Sequence, residues 1–146
     1  MRALGVDLGA KRIGVAVSDA GGLLASPIEV ITRSTSRRED HRRIKGLAAE
    51  WEAECLVIGL PLSMDGTVGP AATSAMAEAA EIEEATGLRV ELVDERLSTV
   101  EATRGLQQAG VRAREGREVV DKIAAAVILQ AWLDRNRRVP EGEQHD

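Results

Sequence analysis

The six residues Cys55 to Leu60, CLVIGL, do most to limit what this chain can become. An unbroken apolar run of strand length, without alternation, belongs in the middle of a sheet covered on both faces. The flanking sequence supplies the covers. Ahead of the run, Arg37 to Glu54 sets Ile44, Leu47, Ala48 and Trp51 at helical spacing, with Arg37, Arg38, Arg42 and Arg43 on the other face. Behind it, after the loop Gly59 to Gly69, the Ala- and Glu-rich stretch Pro70 to Thr86 reads as a helix with Gly87 at its stop. Leu88 to Asp94 is the next strand.

The N-terminal third is all strand. Two apolar runs, Ala3 to Leu8 and Ile13 to Val17, flank Gly9-Ala10-Lys11-Arg12 and read as a β-hairpin. Leu23 to Thr32 is a third strand, which Pro27 confines to an edge or a bulge. After the last strand, Ser98-Thr99-Val100-Glu101 matches a capping box opening a short helix that Gly110 ends. Residues 111–116 are a charged connection, and Arg117 to Arg138 is a long final helix. The prediction is one α/β domain over residues 1–138 and a flexible tail over 139–146. Its mixed five-stranded sheet begins with three antiparallel strands, continues in βα units, and carries helices on both faces.

Composition removes several classes of function. Cys55 is the single cysteine, so neither a disulfide framework nor a thiolate zinc site is expected. The start, MRALGVDLG, lacks the pattern of a signal peptide, and no apolar run approaches membrane-spanning length. A cytoplasmic protein without membrane contact is expected. The net charge of −5 hides a split. Residues 1–46 carry nine Lys and Arg against five Asp and Glu, residues 47–101 two against twelve, and residues 102–146 eight against seven. Basic ends around an acidic middle permit local contact with phosphates, although most such charges simply solvate helix faces. With no Phe, no Tyr and two Trp, there are few platforms for stacked bases. Backbone and shape readout of a nucleic acid fits better.

Three acidic positions are the candidates for chemistry, although a DER triplet alone is more often a solvated strand end. Asp7 sits inside a strand, where Asp is depleted and an unpaired buried carboxylate is costly. It shares a face with Ala3 and Gly5, which leave room for something to approach. The triplet Asp94-Glu95-Arg96 stands where a strand meets its loop, the place where ligands gather in open α/β sheets. Alternation lets one of Asp94 and Glu95 point toward Asp7 without saying which. Asp121 lies on a stripe with Ala125, Ile128 and Trp132 that should face the sheet, though an acid near a helix start also favours the macrodipole. Two carboxylates roughly 5 Å apart repel by about 3 kcal/mol at an effective dielectric of 20. Three such pairs would cost on the order of 10 kcal/mol, comparable to the stability of a whole domain. Either one group is protonated or a cation lies between them, and all-oxygen ligation suits Mg²⁺ or Mn²⁺. His41, in a basic helix, and His145, in the tail, offer no soft ligand and no evident general base. Ions that activate water for an in-line displacement are the route of nucleases and phosphatases.

VDLGAKRIGVAVSD, GLPLSMDGT, DERLSTVEA and VDKIAAAVILQAWL, in this order and spacing, resemble the YqgF (RuvX) family of bacterial proteins. The resemblance runs from about Ala3 to Leu133. It implies a ribonuclease H-like fold and kinship with the RuvC junction resolvases. It also implies a nuclease acting on structured nucleic acid, either the 5′ end of the pre-16S rRNA or branched DNA such as a Holliday junction. The family's acidic triad falls on Asp7, Glu95 and Asp121, as catalytic residues and ligands of one or two Mg²⁺ or Mn²⁺ ions. Lys11, Arg12, Arg96 and Lys122 stand where phosphate contacts are expected from charge and placement. Gly59 to Gly69 resembles the family's flexible loop near the site, although its Asp65 would equally suit a cap on the next helix. The helix Ala71 to Thr86 departs from the basic and aromatic pattern of relatives, which weakens any contact there with nucleic acid.

Two other classes compete. DLGAKRIGVAV also resembles the first phosphate loop of actin- and sugar-kinase-like ATPases, but those clasp nucleotide between two such domains, and the chain has residues for one. A non-catalytic nucleic-acid binder would gain nothing from three negative charges. The protein is expected to be a monomer or a homodimer, since cutting two strands of a junction symmetrically calls for two copies.

Overall fold

The computed structural model describes residues 2–97 and 114–136, with side chains over 2–96 and 121–136. Five strands, β1 (Ala3–Leu8), β2 (Arg12–Ser18), β3 (Ala25–Thr32), β4 (Cys55–Leu60) and β5 (Arg89–Asp94), form one sheet in the order β3-β2-β1-β4-β5. The first three make an antiparallel meander, and β4 runs parallel to both β1 and β5. The predicted α/β class and mixed five-stranded sheet are therefore present. The apolar run at Cys55 is an interior strand with bounds as read from the sequence.

Alternation along β1 divides the core into two layers. Leu4 and Val6 join Ile13, Val15, Leu56 and Ile58 beneath α1 (Arg37–Glu50) and α2 (Pro70–Thr86), which add Ile44, Ala48, Ala79 and Ile82. On the opposite face Ala3, Ala16, Cys55, Val57 and Val93 lie beneath α3 (Arg114–Asn136), which adds Ala124, Ala125, Ile128, Leu129, Trp132 and Leu133. The stripe Ala125–Ile128–Trp132 faces the sheet as its spacing requires.

The sheet face beneath α3 carries Gly5, Gly14 and Gly59, so the helix lies close on the strands. A Cβ added at Gly14 would run into the carbonyl oxygen of Asp121, and one at Gly59 would stand 2.6 Å from Cδ1 of Ile128. Backbone cannot yield at Gly14 without lifting the first described turns of α3. Gly14→Ala is therefore expected to destabilise the fold by about 3 kcal/mol, at the upper end of ordinary overpacking. Urea unfolding should show this as a lowered midpoint with an unchanged slope.

Element ends differ from the sequence reading for local reasons. β3 begins at Ala25, because the Asp19 carboxylate accepts from the amides of Leu23 and Leu24 and holds them in the turn. It is an edge strand carrying Pro27, with a register shift opposite Val15 and Ala16. α1 stops at Glu50 rather than Glu54; Glu52 adopts φ 55°, which breaks the helical path. Ser36 caps its start by accepting from the amide of Glu39. α2 ends at Gly87 with φ 74°, as its sequence requires. α3 begins at Arg114, three residues before the predicted Arg117. The predicted capping-box helix from Ser98 to Gly110 and the tail 139–146 lie outside the described residues.

Candidate active site at the carboxyl end of β1

Asp7 occupies the penultimate position of β1 and keeps 3% of its surface. On one side it pairs with Gly14 of β2. On the other, the β1–β4 ladder runs to the pair Val6 and Ile58, so Gly59 stands beside Asp7 at the next step. Asp7 shares its face with Gly5, whose Cβ direction meets Leu129 of α3. Asp7 thus lies between two glycines on the α3 side of the sheet.

The other two acids come in over those glycines. The Cγ and Oε2 atoms of Glu95 lie 3.1 and 3.2 Å from a Cβ built on Gly59, and Glu95 is 5% exposed. The backbone of Asp121 lies over Gly14. A side chain at Gly59 would enter the space of the Glu95 carboxylate, and one at Gly14 would displace the backbone that carries Asp121. Strand, 3-10 turn (Glu95–Leu97) and helix therefore deliver Asp7, Glu95 and Asp121 to one end and one face of the sheet.

Asp94 and Glu95 separate clearly. Arg96 donates from Nε and Nη2 to Asp94, the Nη2–Oδ2 distance being 2.7 Å, and its Nη1 donates to the Met64 carbonyl. Those hydrogen bonds hold the Asp94 carboxyl below the usual range. Asp94 faces Arg96 and the β4–α2 loop, while Glu95 turns onto Gly59.

The triad is not closed around a single point. Asp121 Oδ2 accepts from Arg12 Nε at 2.6 Å, with about a quarter of each side chain exposed. Among the described residues, no three of His, Cys, Asp and Glu stand near enough together to hold one ion as placed. The donor set is nevertheless all oxygen, as a hard divalent cation requires, and the Asp121 carboxylate already has a positive charge against it.

The expected phosphate contacts divide into three kinds. Lys11 is exposed at the hairpin turn and Lys122 is half-buried beside Asp121. Arg12 is bonded to Asp121, and Arg96 to Asp94. Asp65 does not cap α2, whose N-cap is Gly69 without a side-chain bond. It closes its own turn by accepting from the Thr67 hydroxyl at 2.7 Å and from the Thr67 amide at 3.0 Å, which lowers its pKa.

The sequence reading missed a second polar cluster, behind the hairpin turn. Glu78 of α2 accepts from both terminal nitrogens of Arg33 at 2.8 Å, and shares a 2.8 Å hydrogen bond with His41 Nε2. Arg33 Nε in turn donates to the carbonyl of Gly9, and its amide donates to the carbonyl of Lys11. The turn carrying Lys11 and Arg12 is thus braced from α2. The signal was available, because Glu78 lies on the same helical stripe as Ala75, Ala79 and Ile82. A cleft of about 390 Å³ on this side is lined by Gly9, Arg33, Arg37, Ser74 and Glu78. Its arginines are already paired with Glu78 and Glu81, so the acidic end of the opposite face is the stronger candidate for chemistry.

Known proteins resemble the chain over its whole length. A protein of Myxococcus xanthus named "Putative pre-16S rRNA nuclease" is 48% identical over 145 residues, covering 99% of this chain and 95% of the relative. One of the same name from Anaeromyxobacter is 51% identical over 134 residues, with 92% and 97% covered. RuvC of Thermus thermophilus, solved in complex with a Holliday junction substrate, superposes with a TM-score of 0.56 at 15% identity, over 93% of this chain and 96% of that one, a likeness of fold. The family model described as RuvX: Holliday junction resolvase matches residues 1–135, so the chain belongs to the RuvX family.

Proposed function

We propose that this protein is a divalent-metal-dependent endonuclease that hydrolyses phosphodiester bonds in structured nucleic acid, with the 5′ end of the pre-16S rRNA as its substrate. One observation carries the reading: Asp7, Glu95 and Asp121 arrive from three separate elements at the glycine-lined end of β1. The names of the relatives support the choice of substrate. Branched DNA is the second reading, favoured by the description of the family model.

Asp7, Glu95 and Asp121 would hold one or two Mg²⁺ or Mn²⁺ ions. Such an ion, when bound, supplies a polarised water and neutralises charge on the scissile phosphate. The chain's own residues do the rest. Asp7, fixed within the ladder, sets the floor of the site. Glu95 stands over Gly59 and orients the attacking water by accepting its proton in a hydrogen bond. Lys122, next to Asp121 in the chain, and Lys11, at the hairpin turn, would supply positive charge for the phosphates flanking the cut. With few aromatic residues, the strand is held by its backbone.

Labelled pre-16S rRNA ends and four-way DNA junctions, offered in Mg²⁺ and in Mn²⁺, test the reading. Glu95→Gln should reduce cleavage by at least about a hundredfold, the scale seen when one preorganised electrostatic group is removed. Asp94→Asn should retain cleavage within about tenfold. Cleavage of the junction alone would move the substrate to DNA, and a chain acting on junctions should dimerise. Equal loss in the two variants would contradict the assignment of Glu95.

A further inference from the structure

We propose that Arg12 is the resident counter-ion of the metal-free site, so that a divalent ion must take Asp121 from it. The inference rests on the metal-site reading above. At 2.6 Å the contact lies at the short end for a charge-assisted N–H···O bond, and with a quarter or less of each side chain exposed it is only partly screened.

Both partners are delivered from fixed supports. Arg12 opens β2 directly after a turn closed by the Gly9 amide on the Arg12 carbonyl at 3.0 Å, and Arg33 braces that turn through the carbonyls of Gly9 and Lys11. The Asp121 backbone is seated on Gly14. The acid is therefore held on the β2 side, away from Glu95 over β4. On this reading the Asp121 carboxylate turns toward Asp7 when an ion binds, since no three acids among the described residues stand in range of one ion as placed. Turning breaks the bond to Arg12. Metal loading then frees a guanidinium at the mouth of the site, where it can take a phosphate oxygen of the nucleic-acid strand. By linkage, a strand engaged with Arg12 should also tighten the ion.

The opposite role is equally definite. Were Arg12 to orient Asp121 for the metal, as outer partners of metal ligands often do, its loss would weaken the ion. The sign of one measurement separates the two. Calorimetric titration of the full chain with Mn²⁺ should show Arg12→Ala binding about tenfold more tightly than wild type, the lower range for losing a competing charge-assisted bond. Arg12→Gln, which keeps the stem without the charge, should tighten binding in the same direction. Lys11→Ala removes an equal charge from the same turn at an exposed position and should change affinity less than threefold. In chelator the Arg12→Ala chain should melt below wild type, and saturating Mn²⁺ should raise its Tm by more than it raises that of wild type. Unchanged or weaker Mn²⁺ binding by both Arg12 variants, beside a wild type that binds, overturns the proposal and leaves the metal site standing. A wild type that binds no Mn²⁺ overturns both.

Discussion

Asp7→Asn is expected to abolish cleavage, by at least about a thousandfold, while the chain keeps its fold and its metal-free melting temperature or gains slightly. The asymmetry follows from position. Asp7 is held by ladder pairing to Gly14 and is almost fully buried, so the isosteric amide fits the same space. What the amide removes is a negative charge near two further carboxylates, the charge that a bound cation would draw on. Without metal, its removal relieves repulsion of the order of 1 kcal/mol or more at an effective dielectric of 20. Melting curves in chelator and in saturating Mn²⁺ check this together with the cleavage assay. In Mn²⁺ the wild type should rise and the variant should not. A variant that cleaves at the wild-type rate would exclude Asp7 from the reaction.

The second large effect lies on the other face. Glu78→Ala should destabilise the protein by about 3–5 kcal/mol, the usual cost of removing one partner from a buried charge cluster. For a chain of this size that is a fall in Tm of about 10 °C or more. Glu78 and His41 are almost fully buried and Arg33 is 18% exposed at its side chain, so truncation leaves a guanidinium facing little water. Burial alone would raise the Glu78 pKa, but the hydrogen bonds from Arg33 and His41 outweigh it and bring the carboxyl below its ordinary value of 4.5. A carboxylate depressed in the folded chain contributes stability above the unfolded value and loses that contribution as pH falls through the folded one. Wild type should therefore lose stability as pH falls below about 4.5, and Glu78→Gln should show a shallower acid limb. Because Arg33 also braces the hairpin turn, Glu78→Gln should lower cleavage as well, with the loss in nucleic-acid affinity rather than in the step on the phosphate.

The contrast between these residues shows what the sequence displays. Asp7 was visible because an acid in an apolar strand violates a local preference, and Asp121 because it interrupts an apolar helical stripe. Glu78 interrupts a stripe in the same way, but the many exposed acids of α2 hid it among solvated charges. Asp94 and Glu95 could not be told apart by alternation because β5 ends at Asp94. The two-residue period stops there, and a 3-10 turn sets the direction of Glu95. Arg12 was expected, from its place in the turn, to meet phosphate rather than a carboxylate. Its partner stands 109 positions away and reaches it only because Gly14 lets α3 rest on β2. Local rules found the odd residues, and tertiary contact decided what each of them meets.

On the proposed reading Asp7, Glu95 and Asp121 act together on a divalent ion. Electron paramagnetic resonance of Mn²⁺ titrated into wild type, Asp7→Asn, Glu95→Gln and Asp121→Asn addresses it without a substrate. The signal of free Mn²⁺ should be quenched by wild type with saturable stoichiometry, and each single carboxamide should weaken that binding by at least about tenfold. Full Mn²⁺ binding in all three variants would place the ion elsewhere and contradict the claim.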